Sequence, residues 1–180
     1  KVIIACYDKN NQVLKNLGVK PKKKYKFELV EKIIIKLPKI YKRKSFMVLD
    51  GKFVSLDPYV GTKYHLLSDV HHSKIEVIKN FYPKFNDFRK KYLNKGMLKL
   101  YKITNFKKFK SNSSKYLPFL SEAKYIGSFF VTRAIELNKE KTDERINSVK
   151  FFDNKFVTIF SGKWNTAVGL AKYLLNNKKI

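Results

Sequence analysis

The chain has 180 residues, of which 44% are hydrophobic, and a formal net charge of +26 at pH 7. The hydrophobic content is too high for a disordered basic tail, and the charge would destabilise a compact domain unless a polyanion neutralised it. The single cysteine, Cys6, excludes an internal disulfide and is expected to be a small buried strand residue, and no apolar run reaches the length of a membrane span.

The first third of the chain predicts short strands. Val2–Tyr7 is a β-type run, whereas Phe27–Leu37 fits a helix by its spacing and a strand by its β-branched residues. Asp50-Gly51, between the apolar runs Phe46–Leu49 and Phe53–Leu56, is typical of a two-residue hairpin turn.

The middle of the chain predicts a strand, a helix and a second strand. Ser73–Asn80 has the residues of a strand, Phe85–Asn94 is a short amphipathic pattern that ends before Gly96, and Leu98–Ile103 alternates as a strand does. The basic, serine-rich segment Lys107–Lys115 is the best candidate for a linker loop.

The last third predicts two helices, a strand and a final helix. Ser121 can cap a long helix and Thr142 a second one, while Lys155–Ser161 has the pattern of a strand and Asn165 can cap the last helix. The apolar stripe of the long helix would consist of Ala123, Ile126, Phe129, Phe130, Ala134 and Leu137. The expected class is therefore α+β, with small mixed sheets and helices packed on one face.

The basic residues favour nucleic acid as the partner. Thirty-six are lysine and only four are arginine, which indicates contact with a field of phosphates rather than bidentate readout of bases. Basic clusters recur with aromatic residues between them, and the phenylalanines of Phe106–Lys110 could stack on unpaired bases. The candidate RNA-binding residues are Lys22, Lys23, Lys24, Lys42, Arg43, Lys44, Arg89, Lys90, Lys91, Lys107, Lys108, Lys110 and Lys163.

No pattern predicts catalysis, a metal or a cofactor. Adjacent histidines on a strand point apart, so His71-His72 are interpreted as surface histidines near phosphate, with His65 in a loop. The fourteen acidic residues are scattered, and Asp143-Glu144 fits the first turn of a helix. A non-enzymatic protein without cofactors is expected.

The C-terminal half resembles the C-terminal domain of the universal small-subunit ribosomal protein numbered three, a KH-domain family. The residues that carry the resemblance are Pro118-Phe-Leu120-Ser-Glu-Ala123-Lys124, Ser161-Gly162-Lys163 and Gly169-Leu-Ala171-Lys172, within the order strand, helix, helix, strand, turn, helix. Phe88-Arg89-Lys90 stands where the KH domain of that family carries a similar helix, although the glycine loop expected near Lys79–Tyr82 has no glycine.

The resemblance implies a structural protein of an organellar small ribosomal subunit, with the mitochondrion as the expected compartment. It implies ribosomal RNA and neighbouring ribosomal proteins as partners, no membrane, and a second chain that could complete the C-terminal sheet. The implied division is 1–70 of unknown type, 71–106 KH-like but degenerate, and 107–180 as the C-terminal domain. The alternatives are a small nuclease and a lysine-rich accessory subunit of an organellar membrane complex.

Overall fold

The computed structural model describes residues 1–49, 53–137, 147–152 and 155–177. Helices and strands are mixed in small sheets, which confirms the predicted α+β class. The strands in these residues are β1 Val2–Ile4, β2 Tyr25–Lys36, β3 Phe46–Val48, β4 Val54–Pro58, β5 His65–Asp69, β6 Lys74–Asn80, β7 Lys124–Glu136, β8 Ser148–Phe152 and β9 Phe156–Phe160. The α-helices are α1 Asn10–Asn16, α2 Asp87–Lys90, α3 Phe106–Ser113 and α4 Ala167–Asn176.

The described strands form two sheets. One has the order β1-β9-β8, with β1 parallel to β9 and β8 antiparallel to it. The other has the order β3-β4-β5-β2-β6, with β7 also paired to β2. The hairpin prediction is confirmed for its strands, since Phe46 lies opposite Leu56, while the predicted turn at Asp50-Gly51 falls outside the described residues.

The chain divides into two compact units. Residues 1–27, 78–84 and 133–180 form the first, and residues 28–77 and 85–132 form the second. Val2 pairs with Phe156, so the first unit joins segments from both ends of the chain. The division into 1–70, 71–106 and 107–180 stays a prediction about domains.

Each unit has its own apolar core. In the first unit, Ile4, Leu14 and Phe152 are buried together. In the second unit the core includes Ile33 and Ile35 of β2 and Phe109 of α3. The ambiguous segment Phe27–Leu37 is mostly strand β2. Nearly every side chain of this strand is buried, whereas an amphipathic helix would leave one polar face exposed to solvent.

The long helix predicted from Ser121 to Leu137 is wrong. This segment is a short 3-10 turn, Pro118–Glu122, followed by β7. Ser128, Phe130, Ala134 and Glu136 are buried, and every residue between them is half-buried. Their spacing in multiples of two is the period of a strand. Two of these four are polar, so the hydrophobic pattern alone did not show the alternation.

The rest of the order expected from the ribosomal family also differs. Leu98–Ile103 is not a strand, because only Leu98 forms a bridge, to Ser128, and the chain then turns at Leu100–Thr104. The predicted strand Lys155–Ser161 is confirmed as β9, but it pairs with β1 and β8 rather than with 98–103. Of the predicted second helix, residues 142–146 lie outside the described residues and Ser148–Lys150 belong to β8.

Four local predictions need shorter corrections. The predicted linker Lys107–Lys115 is mostly helix α3, because Phe109 anchors it in the core. The predicted helix over Phe85–Asn94 is a single turn, α2. Cys6 is exposed, because β1 ends at Ile4 and a 3-10 turn begins at Tyr7. The strand at Ser73–Asn80 and the final helix are confirmed, but the predicted cap is wrong, because a 3-10 turn at Trp164–Thr166 precedes the helix and makes Thr166, not Asn165, its N-cap residue.

Gly127 gives a testable consequence of this strand geometry. Leu98 and Ser128 exchange backbone hydrogen bonds of 2.8 Å, and a Cβ on Gly127 would lie 2.6 Å from Met97 Cγ and 3.0 Å from the Leu98 carbonyl oxygen. We expect Gly127→Ala to lower the free energy of unfolding by about 1–3 kcal/mol, measured by urea denaturation, because the bridging segment must move away.

Gly169→Ala is the matched control for this substitution. Gly169 lies in α4, and a Cβ there has no neighbour within 4 Å. Alanine favours a helix over glycine by about 0.5–1 kcal/mol, so the control should be neutral or stabilising. Equal effects of the two substitutions would show that the close approach at Gly127 is not what matters.

Candidate nucleic-acid interface

The first basic cluster, Lys22–Lys24, lies in the first unit just before β2. Lys22 and Lys24 are exposed, and their Nζ atoms lie 5.8 Å from the Phe152 ring centroid and 5.5 Å from the Phe81 ring centroid. Both ammonium groups therefore rest against aromatic rings while their charges stay accessible to solvent.

Lys23 differs from its two neighbours because it forms an ion pair with a buried carboxylate of the same unit. Its Nζ lies 2.5 Å from Oε2 of the buried Glu136, and the hydroxyl of Ser148 donates to the other oxygen of Glu136 over 2.9 Å. Burial and the charge of Lys23 lower the pKa of Lys150, which Glu136 opposes. Burial, and then the charge of Glu136, raises the pKa of Tyr25 to about 12.

The second cluster, Lys42-Arg43-Lys44, projects from a tight turn of the second unit. All three side chains are exposed, and Arg43 adopts a positive φ of 62°. The preceding Tyr41 fixes the turn, since its ring stacks on Phe119 with centroids 4.1 Å apart. The turn therefore presents three cations to solvent, and the stacking of Tyr41 on Phe119 holds it in place.

The third cluster, Arg89-Lys90-Lys91, lies on and just after α2 and is exposed. The Arg89 guanidinium donates from Nη1 to the Ile75 carbonyl over 3.0 Å and lies 3.6 Å from Oε2 of Glu76. Lys91 Nζ lies 4.3 Å from the Phe88 ring centroid. Arg89 is thus held in place, while Lys90 carries its charge into solvent.

The fourth cluster lies on helix α3 rather than on a loop. Lys107 and Lys108 are exposed, whereas Lys110 is half-buried and its ammonium donates to the Ala123 carbonyl over 3.3 Å. Phe109 is fully buried and cannot stack on a base, which corrects part of the prediction for Phe106–Lys110. Phe106 packs beside Tyr125, with ring centroids 5.4 Å apart.

Lys163 is exposed in the turn after β9. The hydroxyls of Ser161 and Thr166 both donate to its carbonyl, over 2.6 and 2.7 Å, so the turn is well defined. Within the second unit, the structure brings Arg89 of the third cluster and Lys108 of the fourth to one cavity. No pattern in the sequence indicates that these two residues lie close together.

The three histidines, His65, His71 and His72, take part in local hydrogen bonds of the fold. His71 and His72 lie on the turn after β5, where their backbone N–H groups donate to Oδ1 of Asp69 over 2.8 and 2.9 Å. Their rings lie 4.8 Å apart, so they do not point away from each other as predicted for a strand. His65 is buried in β5 with its Nε2 2.9 Å from the Tyr41 carbonyl. Among the described residues, no three potential metal ligands come together.

The acidic residues are the feature that sequence reasoning missed. Glu28, Glu31, Asp69 and Glu136 are buried, and Asp8, Asp57 and Glu76 are half-buried. Of the acids in the described ranges, only Asp87 and Glu122 are exposed, against twenty-eight exposed lysines and arginines. Over the described ranges, the solvent-facing charge is therefore even more one-sided than the composition indicates.

No protein-family model, curated protein or solved structure matches the chain. The resemblance to the ribosomal family therefore depends on its short motifs, and the helix expected between Ala123 and Leu137 is a strand. In the described part of the chain, no helix is both long and apolar enough to span a membrane.

Proposed function

We propose that this chain is an RNA-binding structural protein of a ribonucleoprotein particle. One observation carries the proposal: among the residues that the structure describes, four of nine carboxylates are buried and only two are exposed, whereas twenty-eight lysines and arginines are exposed. Exposed cations with almost no exposed anions beside them create a strong positive potential, and RNA phosphate is the dense polyanion that such a surface attracts.

The kind of contact follows from the residues. Lysine is a compact point charge that neutralises a phosphate without reading a base, so binding is governed by the density and shape of the RNA backbone. The clusters at Lys22, Lys42–Lys44 and Lys107-Lys108 are exposed and free to make such contacts. The protein then acts by neutralising and fixing a folded RNA rather than by chemistry on it.

The buried carboxylates do not favour the nuclease alternative. Glu31 accepts hydrogen bonds from two hydroxyls and a backbone N–H, and Asp69 accepts from Asn112 and two backbone N–H groups. These carboxylates hold the fold together, whereas a metal-dependent nuclease needs carboxylates that converge on an accessible cation.

We place the particle, as a proposal, in the small ribosomal subunit of an organelle, most simply a mitochondrion. Two features of the sequence support this choice. First, the sequence is rich in amino acids with A/T-rich codons, as expected of an organellar gene: Lys, Asn, Ile, Tyr and Phe. Second, the Ser161-Gly162-Lys163 motif resembles that of the ribosomal family. Ribosomal RNA and adjacent ribosomal proteins would be its partners.

A sucrose gradient of a native lysate tests this function. We expect the protein to travel with a small ribosomal subunit and to move to the top of the gradient after RNase treatment. Sedimentation with a different RNase-sensitive particle would overturn the ribosomal assignment alone. Flotation with membrane vesicles, insensitive to RNase, would contradict RNA binding and favour the membrane-complex alternative.

A further inference from the structure

A cavity in the second unit has the size and lining of a site for a small molecule. Its volume is about 330 Å³, at the lower end of the range for ligand pockets. Leu29 and Phe130, both buried, contribute apolar surface to it, and Phe88 and Tyr92 contribute aromatic rings. Arg89 and Lys108 add two cations. A flat, apolar group that carries an anion would match this combination.

We propose that this cavity binds a single nucleotide of RNA whose base is unpaired, an inference that rests on the RNA-binding function proposed above. The base would enter between the apolar and aromatic side chains, and its phosphate would meet Arg89 and Lys108. The cavity has room for one base and its sugar but not for a longer segment, so recognition would be of one extruded residue.

The aromatic pair suits stacking on a base. The Phe88 and Tyr92 ring centroids lie 6.2 Å apart with the planes at 88°, so one ring of the pair has both faces free of the other. Phe88 is 57% exposed, so part of its ring is open to a ligand. Lys91 Nζ lies over one face of the Phe88 ring, 4.3 Å from its centroid, so a base would stack on the opposite face. Base–aromatic stacking strengthens binding by about 5- to 100-fold per base.

The polar groups suit the rest of a nucleotide. Arg89 has five N–H donors, and its hydrogen bond to the Ile75 carbonyl and its ion pair with Glu76 hold its position while most of these donors are left for a ligand. Lys108 is exposed and forms no ion pair with the residues the structure describes. Asn105 also lines the cavity, and its Nδ2 donates to the His72 carbonyl over 3.1 Å, which leaves its Oδ1 as an acceptor for a base edge.

A free nucleotide has the same chemistry as an unpaired nucleotide of RNA. The lysine-rich exterior favours RNA, because Lys90 and Lys107, each adjacent in sequence to a cavity residue, are exposed and would bind the flanking phosphates that a free nucleotide lacks. The two sources are separated by comparing an RNA hairpin that has one bulged 2-aminopurine, the same hairpin with that residue paired, and adenosine monophosphate alone.

The experiment measures binding of these three probes to the full chain. We expect the bulged hairpin to bind about tenfold more tightly than the paired one, with quenching of 2-aminopurine fluorescence as the base stacks. Phe88→Ala should remove both the preference and the quenching without changing affinity for the paired hairpin. Tyr101→Ala is the matched control, since Tyr101 is 70% exposed and lies outside the cavity, and it should retain both.

A second pair of variants tests the phosphate contact. Lys107 and Lys108 are adjacent and both exposed on α3, but only Lys108 lines the cavity. Lys107→Ala and Lys108→Ala should weaken binding to the paired hairpin equally, and Lys108→Ala should weaken binding to the bulged hairpin about fivefold more. Circular dichroism of all four variants checks that the fold is retained.

The outcomes separate this inference from the proposed function. Equal binding of the two hairpins, or a preference for the bulge that survives Phe88→Ala, would overturn the nucleotide site. The RNA-binding function would still stand if binding to the paired hairpin were sensitive to salt. Tight binding of adenosine monophosphate with no preference for the bulge would assign the cavity to a free nucleotide and overturn the RNA source. Absence of binding to either hairpin would overturn the proposed function and, with it, the RNA site.

Discussion

RNA binding by this protein should weaken about a thousandfold when the salt concentration rises from 50 to 200 mM. Each lysine that meets a phosphate releases a condensed counterion, so the logarithm of the affinity falls linearly with the logarithm of the salt concentration. Six contacts suffice for a loss of this size. Fluorescence anisotropy with a labelled, structured RNA over a salt series measures the slope directly.

Substitutions in the clusters test which lysines produce that slope. Replacing Lys42, Arg43 and Lys44 together by glutamine should lower the magnitude of the slope by as much as about three, because each lost phosphate contact removes about one. Lys110→Gln is the matched control. The Lys110 ammonium already donates to the Ala123 carbonyl, so this substitution should leave the slope unchanged. A flat salt response of the unaltered protein would contradict binding through phosphates.

Local signals predicted the elements whose polar and apolar residues separate cleanly. The hairpin of β3 and β4 has an apolar run on each side of Asp50-Gly51, and α4 and β9 have regular patterns bounded by turn residues. Their residues favour one structure wherever the rest of the chain lies. For that reason these elements were predicted without knowledge of their partners.

The sequence could not predict elements that are stabilised by buried polar residues. In β7, Ser128 occupies a core position because its hydroxyl donates to Glu31, and Glu136 does so because it pairs with Lys23. In α3, Asn112 is buried because its amide donates to Asp69 over 2.7 Å. Such partners lie tens of residues away, so a hydrophobic pattern assigns these residues to a surface or a loop.

The positive surface of the candidate interface could be predicted from the sequence, but its cavity could not. Exposure of most candidate lysines follows from the cost of burying a charge, so composition was an adequate guide to the positive surface. Lys23 and Lys110 are the exceptions, because a carboxylate and a carbonyl from distant segments bind them. The cavity between α2 and α3 could not be predicted, since it depends on how Arg89 and Lys108 come together in the second unit.

Glu31 should be the most sensitive position for the stability of the second unit. It is fully buried in β2, and its carboxylate accepts hydrogen bonds from the hydroxyls of Thr104 and Ser128 and from the Asn105 N–H over 2.9 Å. Glu31→Ala would leave three donors without an acceptor, at about 1–3 kcal/mol each. The expected loss of about 3–9 kcal/mol is comparable to the whole stability of many small proteins.

Two further substitutions make this test specific, with urea denaturation as the measurement. Glu31→Gln keeps one oxygen for the Asn105 N–H, and the Thr104 and Ser128 hydroxyls can turn to accept from the new amide, so it should cost less than Glu31→Ala. Glu122→Ala removes an exposed carboxylate and should change the free energy of unfolding by less than about 0.5 kcal/mol. If Glu31→Ala were as mild as Glu122→Ala, the hydrogen-bond network around Glu31 would not be what joins β2, β7 and the start of α3.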